Sequence, residues 1–376
     1  MKVTASQAQE LKNVLKSFPD SRKANGLRHS QASVLAIAIC AVLSGCHNFL
    51  AIGEWASRCT QNMLKRLGSY FHEKKGCYTA PSEPTIRRVL QSVDIDVMEP
   101  AFNNWVSSLL EGAQNEAIAI DGKVLRGAYD ADNKQVNLLS AVLHGQGVTI
   151  AQQRIESKTN EIPALRTLLK PLNIEGRVVT ADAIHTQKKT AKYIVEEKKA
   201  HYLFTVKDNQ PTLLADIAAL NIDKEAPHHE TTDKGHGRVE NRKIWAGSEL
   251  NNYLDFPYVG QVFCIKRHVY DCKKEREREE TVYCITDLTP EEASPERLLK
   301  LNREHWEIEN RSHYVRDVTF DEDRSRVRTK NGPQVMASLR NFAIGTLRIV
   351  KKAGNIASAL RDIAAKPRLS LQMLGL

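Results

Sequence analysis

Three carboxylates are placed where they could do metal-assisted chemistry. Asp121 closes the apolar run "AIAI", Asp182 closes "VVTA", and Glu309 lies in "HWEIENRSHYVRD" among histidines and an arginine. One acid at a strand end is usually a turn or cap residue. Two at the ends of parallel-reading strands can be carried side by side, and a third on the polar face of a packed helix could join them. Carboxylates ~4 Å apart repel by about 4 kcal/mol at an effective dielectric of 20. Such a cluster must take up protons or hold a cation. Hard oxygen ligands with room for water and phosphate oxygens suit Mg2+, with Mn2+ as a substitute. Two such ions ~3.5–4 Å apart can serve in-line phosphoryl displacement by water or a 3′-hydroxyl. The expectation is that Asp121, Asp182 and Glu309 are the catalytic metal ligands.

Polar side chains gather around these acids. Lys123 and Arg126 follow the first, His185 follows the second, and Lys207, Asn209 and Gln210 close the next strand. His305, His313 and Arg316 flank the third. Each alone reads as a solvated polar residue. Together, at strand ends where open α/β sheets bind ligands, they are candidates for contacts to DNA phosphates. Glu304, Glu307 and Asp317 fall off the polar face of the helix, and Asp321 and Asp323 in "FDEDRSR" read as a salt-bridged turn.

The elements that must position these groups divide at about residue 112. Residues 1–112 read as helices, with helical spacing over 5–17, 31–44, 49–66, 84–93 and 97–110 and breaks at Gly26, Gly45 and "TAPSEP". Arg87 and Arg88 fall near a helix start marked by Pro84, where a DNA-reading helix could put them, although it is also an ordinary place for an exposed basic pair. Residues 113–376 change rhythm. A strand, a hairpin around His144-Gly145-Gln146-Gly147, and then alternating helices and strands predict a mixed sheet flanked by helices. Residues 222–290 read as a β-rich insertion, in which "DCKKEREREE" suits a solvated hairpin ladder. After it comes one long helix through "SPERLLKLNREHWEIENRSHYVRDV". Its buried stripe is Leu301, Ile308 and Val315, and its polar face carries Asn302, His305, Glu309, Ser312, His313 and Arg316. Further C-terminal helices cover 333–363.

Composition narrows the function. The 376 residues carry 54 Lys plus Arg against 45 Asp plus Glu, a net charge of +9, which suits a polyanion partner. Seven cysteines without a CxxC pair speak for reduced thiols and against zinc. The apolar run Val34–Leu43 is shorter than the roughly 20 residues a membrane span needs, so no membrane is expected and the cytoplasm is the expected compartment. No Gly-rich cofactor fingerprint follows the first strand, which speaks against a dinucleotide enzyme.

The ordered segments "AIDGKVLRG", "KTNEIPALRTLL", "VVTADAIHTQ", "TVKDNQPTL" and "HWEIENRSHYVRDVTFDED" resemble the bacterial DDE transposases of insertion sequences, in the H-repeat-associated, or ISAs-type, branch. The likeness spans nearly the whole chain, with "PSEPTIRRVL" resembling that branch's helical transposase-associated domain. It implies a ribonuclease-H-like core, a β-rich insertion before the last catalytic helix, and Mg2+-dependent DNA cleavage and strand transfer. Asp121, Asp182 and Glu309 match the family's acids. The family's Tyr, Arg, Glu, Lys helix signature is here Asn302, His305, Glu309 and Arg316. The expected partner is double-stranded DNA, element ends and target, bound by a homodimer near the nucleoid. A DNA-binding protein whose catalysis has lapsed, or a nuclease that cuts without joining, are the rival readings.

Overall fold

Helices dominate residues 5–108, and from Ile118 onward strands, singly or in runs, are interspersed with helices. The computed structural model describes residues 3–20, 22, 27–110, 116–129, 134–155, 161–235 and 237–376. The expected break at Gly26 and the expected domain boundary near 112 lie outside them. In chain order the N-terminal elements are α1 (Ala5–Ser17), α2 (Gln31–Leu43), α3 (Phe49–Ser57), α4 (Gln61–Arg66), β1 (Phe71–His72), β2 (Cys77–Tyr78), α5 (Glu83–Ser92) and α6 (Ile95–Ser108). Then come β3 (Ile118–Tyr129), β4 (Gln135–Leu143), β5 (Thr149–Ile155), α7 (Glu161–Leu169), β6 (Val178–Ala181), α8 (Lys188–Lys192), β7 (His201–Val206) and α9 (Pro211–Ala219). The remainder is β8 (His229–Gly235), β9 (Arg238–Gly247), β10 (Gln261–Asp271), β11 (Arg276–Thr286), α10 (Pro295–His305), α11 (Gly332–Ile349), α12 (Ile356–Ala365) and α13 (Arg368–Leu374).

Packing divides the chain into two compact units. The first contains residues 1–113, 122–158 and 309–376, and the second contains 114–121 and 159–308. The single strand β3 runs from one to the other.

In the first unit α1–α6 share a core with α11–α13. Residues Val34 to Leu43 of α2 are buried on every side, as a run with no polar face requires. Trp105 of α6 stacks on Phe342 of α11 with ring centroids 5.1 Å apart. The helix expected over 49–66 is two helices. Thr60 starts the second by accepting a hydrogen bond from the Met63 backbone N–H, a cap that competes with continuing the first. The expected hairpin is present, with β4 and β5 antiparallel. Its turn has Gly145 and Gly147 at φ +65° and +64°, a backbone region that glycine enters at no steric cost.

In the second unit the strand order is β3-β6-β7-β11-β10-β9-β8. β3, β6 and β7 are parallel, and the rest are antiparallel. The segment 222–290 is part of this sheet, because β11 pairs with β7 from Tyr283↔Val206 to Thr286↔Leu203. Its charges form the expected cross-strand ladder, including Arg267 opposite Glu280. Helix α10 buries Leu298, Leu299 and Leu301 in a core that includes Phe263 and Cys284. The molecule is thus a mixed α/β protein with helices packed on a mixed sheet. Among the described residues no helix is long and apolar enough to cross a membrane.

Candidate active site

Register brings the two aspartates together in the second unit. Ile120 of β3 is the parallel partner of Ala181 of β6, and Asp121 and Asp182 are the next residue on each strand. Neighbouring strands lie ~4.8 Å apart and alternate their side chains, so the two acids leave at one level and on one face. β3 does not end at Asp121 as expected but continues to Tyr129. Only β6 ends at its acid.

Asp182 is half exposed and accepts a hydrogen bond of 3.0 Å from Lys207 Nζ. Burial would raise its pKa. The Ala183 backbone N–H, the Lys207 ammonium and the His305 charge outweigh that and hold it below the usual aspartate value. Asn209 donates to the Ala183 carbonyl (2.7 Å) and Gln210 to the Thr186 carbonyl (2.8 Å). Both amides therefore brace the turn that follows Asp182. His185 in that turn is buried, and burial pushes its pKa down to about 4. Thr180, two residues before Asp182 and so on its face, meets His305 Nδ1 at 2.9 Å, which seats α10 on β6.

The C-terminal segment of the first unit opens with two wide π turns, Glu309–His313 and Val315–Thr319. π turns are rare and cluster at functional positions. Glu309 is exposed and pairs with His313 Nδ1 at 3.1 Å. That hydrogen bond lowers the Glu309 pKa, burial opposes it, and the charges of His313 and Lys123 add to the lowering. The polar face read from the sequence exists, but it points inward. Asn302, His305, Ser312, His313 and Arg316 are all buried, and Glu309 alone among these six is exposed.

The basic neighbours separate accordingly. Arg316 is wholly buried and donates to Glu322 (2.8 Å) and to Gln152 (3.3 Å). Glu322 also takes a hydrogen bond of 2.7 Å from the buried Arg340. Arg316 and His185, having no exposed surface, are not available to a phosphate as expected from the sequence. Lys123 is buried and bonded to Asp317 at 2.6 Å. Arg126 is exposed and reaches Asp323 at 3.4 Å. Sequence reasoning set Asp317 aside and missed Glu322. The signal available was the density of arginines around "FDEDRSR", which marks ion pairing without telling which acid is buried.

The donor set fits a hard divalent cation. Asp121 and Asp182 share one level of the sheet, Asp182 favours the ionised form, and oxygen is the ligand Mg2+ and Mn2+ prefer.

A family model described as "Transposase DDE domain" matches residues 112–345, and one described as "DDE_Tnp_1-associated" matches residues 12–106. The chain is 28% identical over 353 residues to YncI of Escherichia coli O157:H7, covering 91% of this chain and 88% of that one. It is 28% identical over 351 residues to the H repeat-associated YhhI of Escherichia coli K12, covering 90% and 91%. Both relatives are named as candidate transposases. A piggyBac transposase synaptic complex with hairpin DNA aligns with a TM-score of 0.43 and 12% identity over 99% of this chain and 79% of that one.

Proposed function

The chain belongs to the transposase DDE domain family, and from that premise we propose that Asp121, Asp182 and Glu309 jointly ligate Mg2+, or Mn2+ in its place, to cut DNA at insertion-element ends and join those ends to target DNA. The observation that carries the reading is the register that sets Asp121 and Asp182 at one level on neighbouring parallel strands. Glu309 is taken as the third acid because it matches the family's glutamate in the segment "HWEIENRSHYVRD". A ribonuclease-H-like arrangement of the sheet is part of the proposal.

Bound Mg2+ supplies Lewis-acid stabilisation of the phosphoryl oxygens and an acidified nucleophile. The protein's side chains do the rest. Lys207 and the Ala183 N–H keep Asp182 ionised, His313 does so for Glu309, and Asn209 and Gln210 fix the turn behind Asp182. Lys207 and Arg126, both exposed, are the cations placed to meet DNA phosphates. Joining two ends needs two sites, so a dimer on DNA is expected.

The test pairs Mn2+ binding, followed by electron paramagnetic resonance, with cleavage of element-end duplexes. Asp121→Asn, Asp182→Asn and Glu309→Gln should each lose cleavage and weaken Mn2+ binding while DNA binding persists. Full cleavage by any of the three refutes the assignment. Wild-type binding without cleavage would point to a lapsed enzyme, and cleavage without joining to a nuclease.

A further inference from the structure

The first unit holds a second basic site with no role in the chemistry above. A cavity of about 790 Å3 opens between the loop before α2, the β1–β2 hairpin and α5. Arg28, Lys75, Arg88 and Lys330 line it, and Arg22 adds a fifth cation. No carboxylate lines it among the described residues. Arg22 is already held by Asp20 at 2.6 Å. Arg28, Lys75, Arg88 and Lys330 form no ion pair among the described residues, and all four are exposed. Four uncompensated cations around one concavity repel one another. Such an arrangement costs stability unless an anion enters.

Two further features say what kind of anion. His29 lines the same cavity, is only 9% exposed, and its Nδ1 has no hydrogen-bond partner among the described residues. Leaving a buried ring nitrogen unmatched is costly, and an oxygen or a proton donor from a ligand would match it. Beside it stands Tyr70, whose ring centroid lies 6.1 Å from that of His29 and 6.1 Å from that of His72. Cations interleaved with aromatic rings suit nucleotides, which carry a phosphate and a flat apolar face together. The volume falls in the range of sites that enclose a nucleotide-sized group. Burial, with the charges of Arg22 and Arg28, lowers the His29 pKa, so an arriving phosphate would raise it.

We infer that this cavity is a DNA-backbone site, in which Arg28, Arg88 and Lys330 pair with consecutive phosphodiesters and His29 and Tyr70 receive the adjoining nucleotide. The inference rests on the DNA chemistry proposed above, but uses none of its acids. It gives the helical region that precedes the acid-bearing strands a task, which is to hold DNA while the acids act on it.

The test uses the full-length protein, a duplex oligonucleotide and a salt series. Each phosphate contact removed should make the slope of log K against log salt shallower by about 1. The triple variant Arg28→Ala, Arg88→Ala, Lys330→Ala should therefore flatten the slope by about 3. The double variant Arg28→Lys, Arg88→Lys, with Lys330 unchanged, should keep the wild-type slope, which ties the loss to charge and excludes misfolding as the cause. Histidine-selective NMR should show the His29 ring moving and its pKa rising as the oligonucleotide is added, with inorganic phosphate at equal concentration far weaker. An unchanged slope in the alanine variant, or a His29 response that inorganic phosphate reproduces fully, overturns the inference while leaving the cleavage assay untouched. Conversely, cleavage that survives Asp182→Asn while His29 still responds overturns the metal-site proposal alone. Absence of DNA binding by the wild-type protein overturns both.

Discussion

Asp182 and Glu322 are both carboxylates held below their usual pKa, yet they are held in opposite ways. Asp182 is half exposed, and its cation, Lys207, stands on an exposed flexible stem. Glu322 is buried against two buried guanidiniums, Arg316 and Arg340, which push it down to about 2 although burial pulls the other way. A lysine in water can let go, so the oxygens of Asp182 remain available to an incoming cation. The arginines around Glu322 cannot leave without stranding buried charge. The lesson is that ionisation alone does not mark a reactive acid. Reactivity also requires that the partner be displaceable.

Glu99 completes the comparison from the same unit as Glu322. It is as deeply buried, but its neighbours are the amides of Gln152 and Gln334, and burial raises it to about 8. Gln152 joins the two environments, because its carbonyl accepts from Arg316 and Asn341 while its amide donates to Glu99. One interior thus keeps one acid charged and the other protonated near neutral pH, according to whether a guanidinium or an amide faces it.

Breaking the exposed side of the comparison should have the largest effect. Asp182→Asn should cut Mg2+-dependent cleavage by about 10^3-fold or more, since a metal ligand supplies several kcal/mol of stabilisation. Its thermal midpoint should stay close to wild type, because the lost partner is solvent-exposed. A variant that unfolds early would place Asp182 with the structural acids instead. Breaking the buried side should do the reverse. Glu322→Gln leaves Arg316 and Arg340 uncompensated and should cost about 3–5 kcal/mol in chemical denaturation. Stability equal to wild type would show that the two arginines have other counterions.

Glu99 sharpens the contrast through pH. Its folded pKa of about 8 lies above the usual 4.5. Its contribution is therefore fully present below pH 4.5 and is lost as pH rises through about 8. Urea midpoints taken across that window should fall with pH in the wild type, and more shallowly in Glu99→Gln. Parallel curves would mean that Glu99 titrates normally. Glu322 has the opposite sign: its contribution is present above pH 4.5 and disappears as pH falls through about 2. The smallest effect belongs to Lys207→Ala, where the Asp182 pKa should move upward in a carboxyl-carbon NMR titration. An unmoved value would assign the lowering to the Ala183 N–H and His305 alone.

Much of the fold could be read from pattern. Apolar runs ending in acids located β3 and β6, a Gly-x-Gly turn located the β4–β5 hairpin, and the seven-residue spacing of Leu301, Ile308 and Val315 marked residues that are buried. Other features escaped for physical reasons. Strand pairing across long separations is not local, so the sequence could not show that β11 docks on β7 and that the supposed insertion extends the sheet. A polar helix face looks the same whether water or other polar groups cover it, and here Arg316 and His313 turned out to be inside. Asp121 was expected to close its strand, but β3 runs on to Tyr129, because a strand continues wherever a neighbour supplies hydrogen bonds.

The sequence by itself determined which residues have chemistry to offer, since charge, ligand hardness and apolar periodicity are properties of side chains and their spacing. Only the tertiary structure decided which acids meet exposed cations and which are enclosed by arginine or amide. Solvent access and the identity of a distant neighbour are set when separate segments pack, and those two quantities decide whether a carboxylate binds a passing ion or holds the protein together.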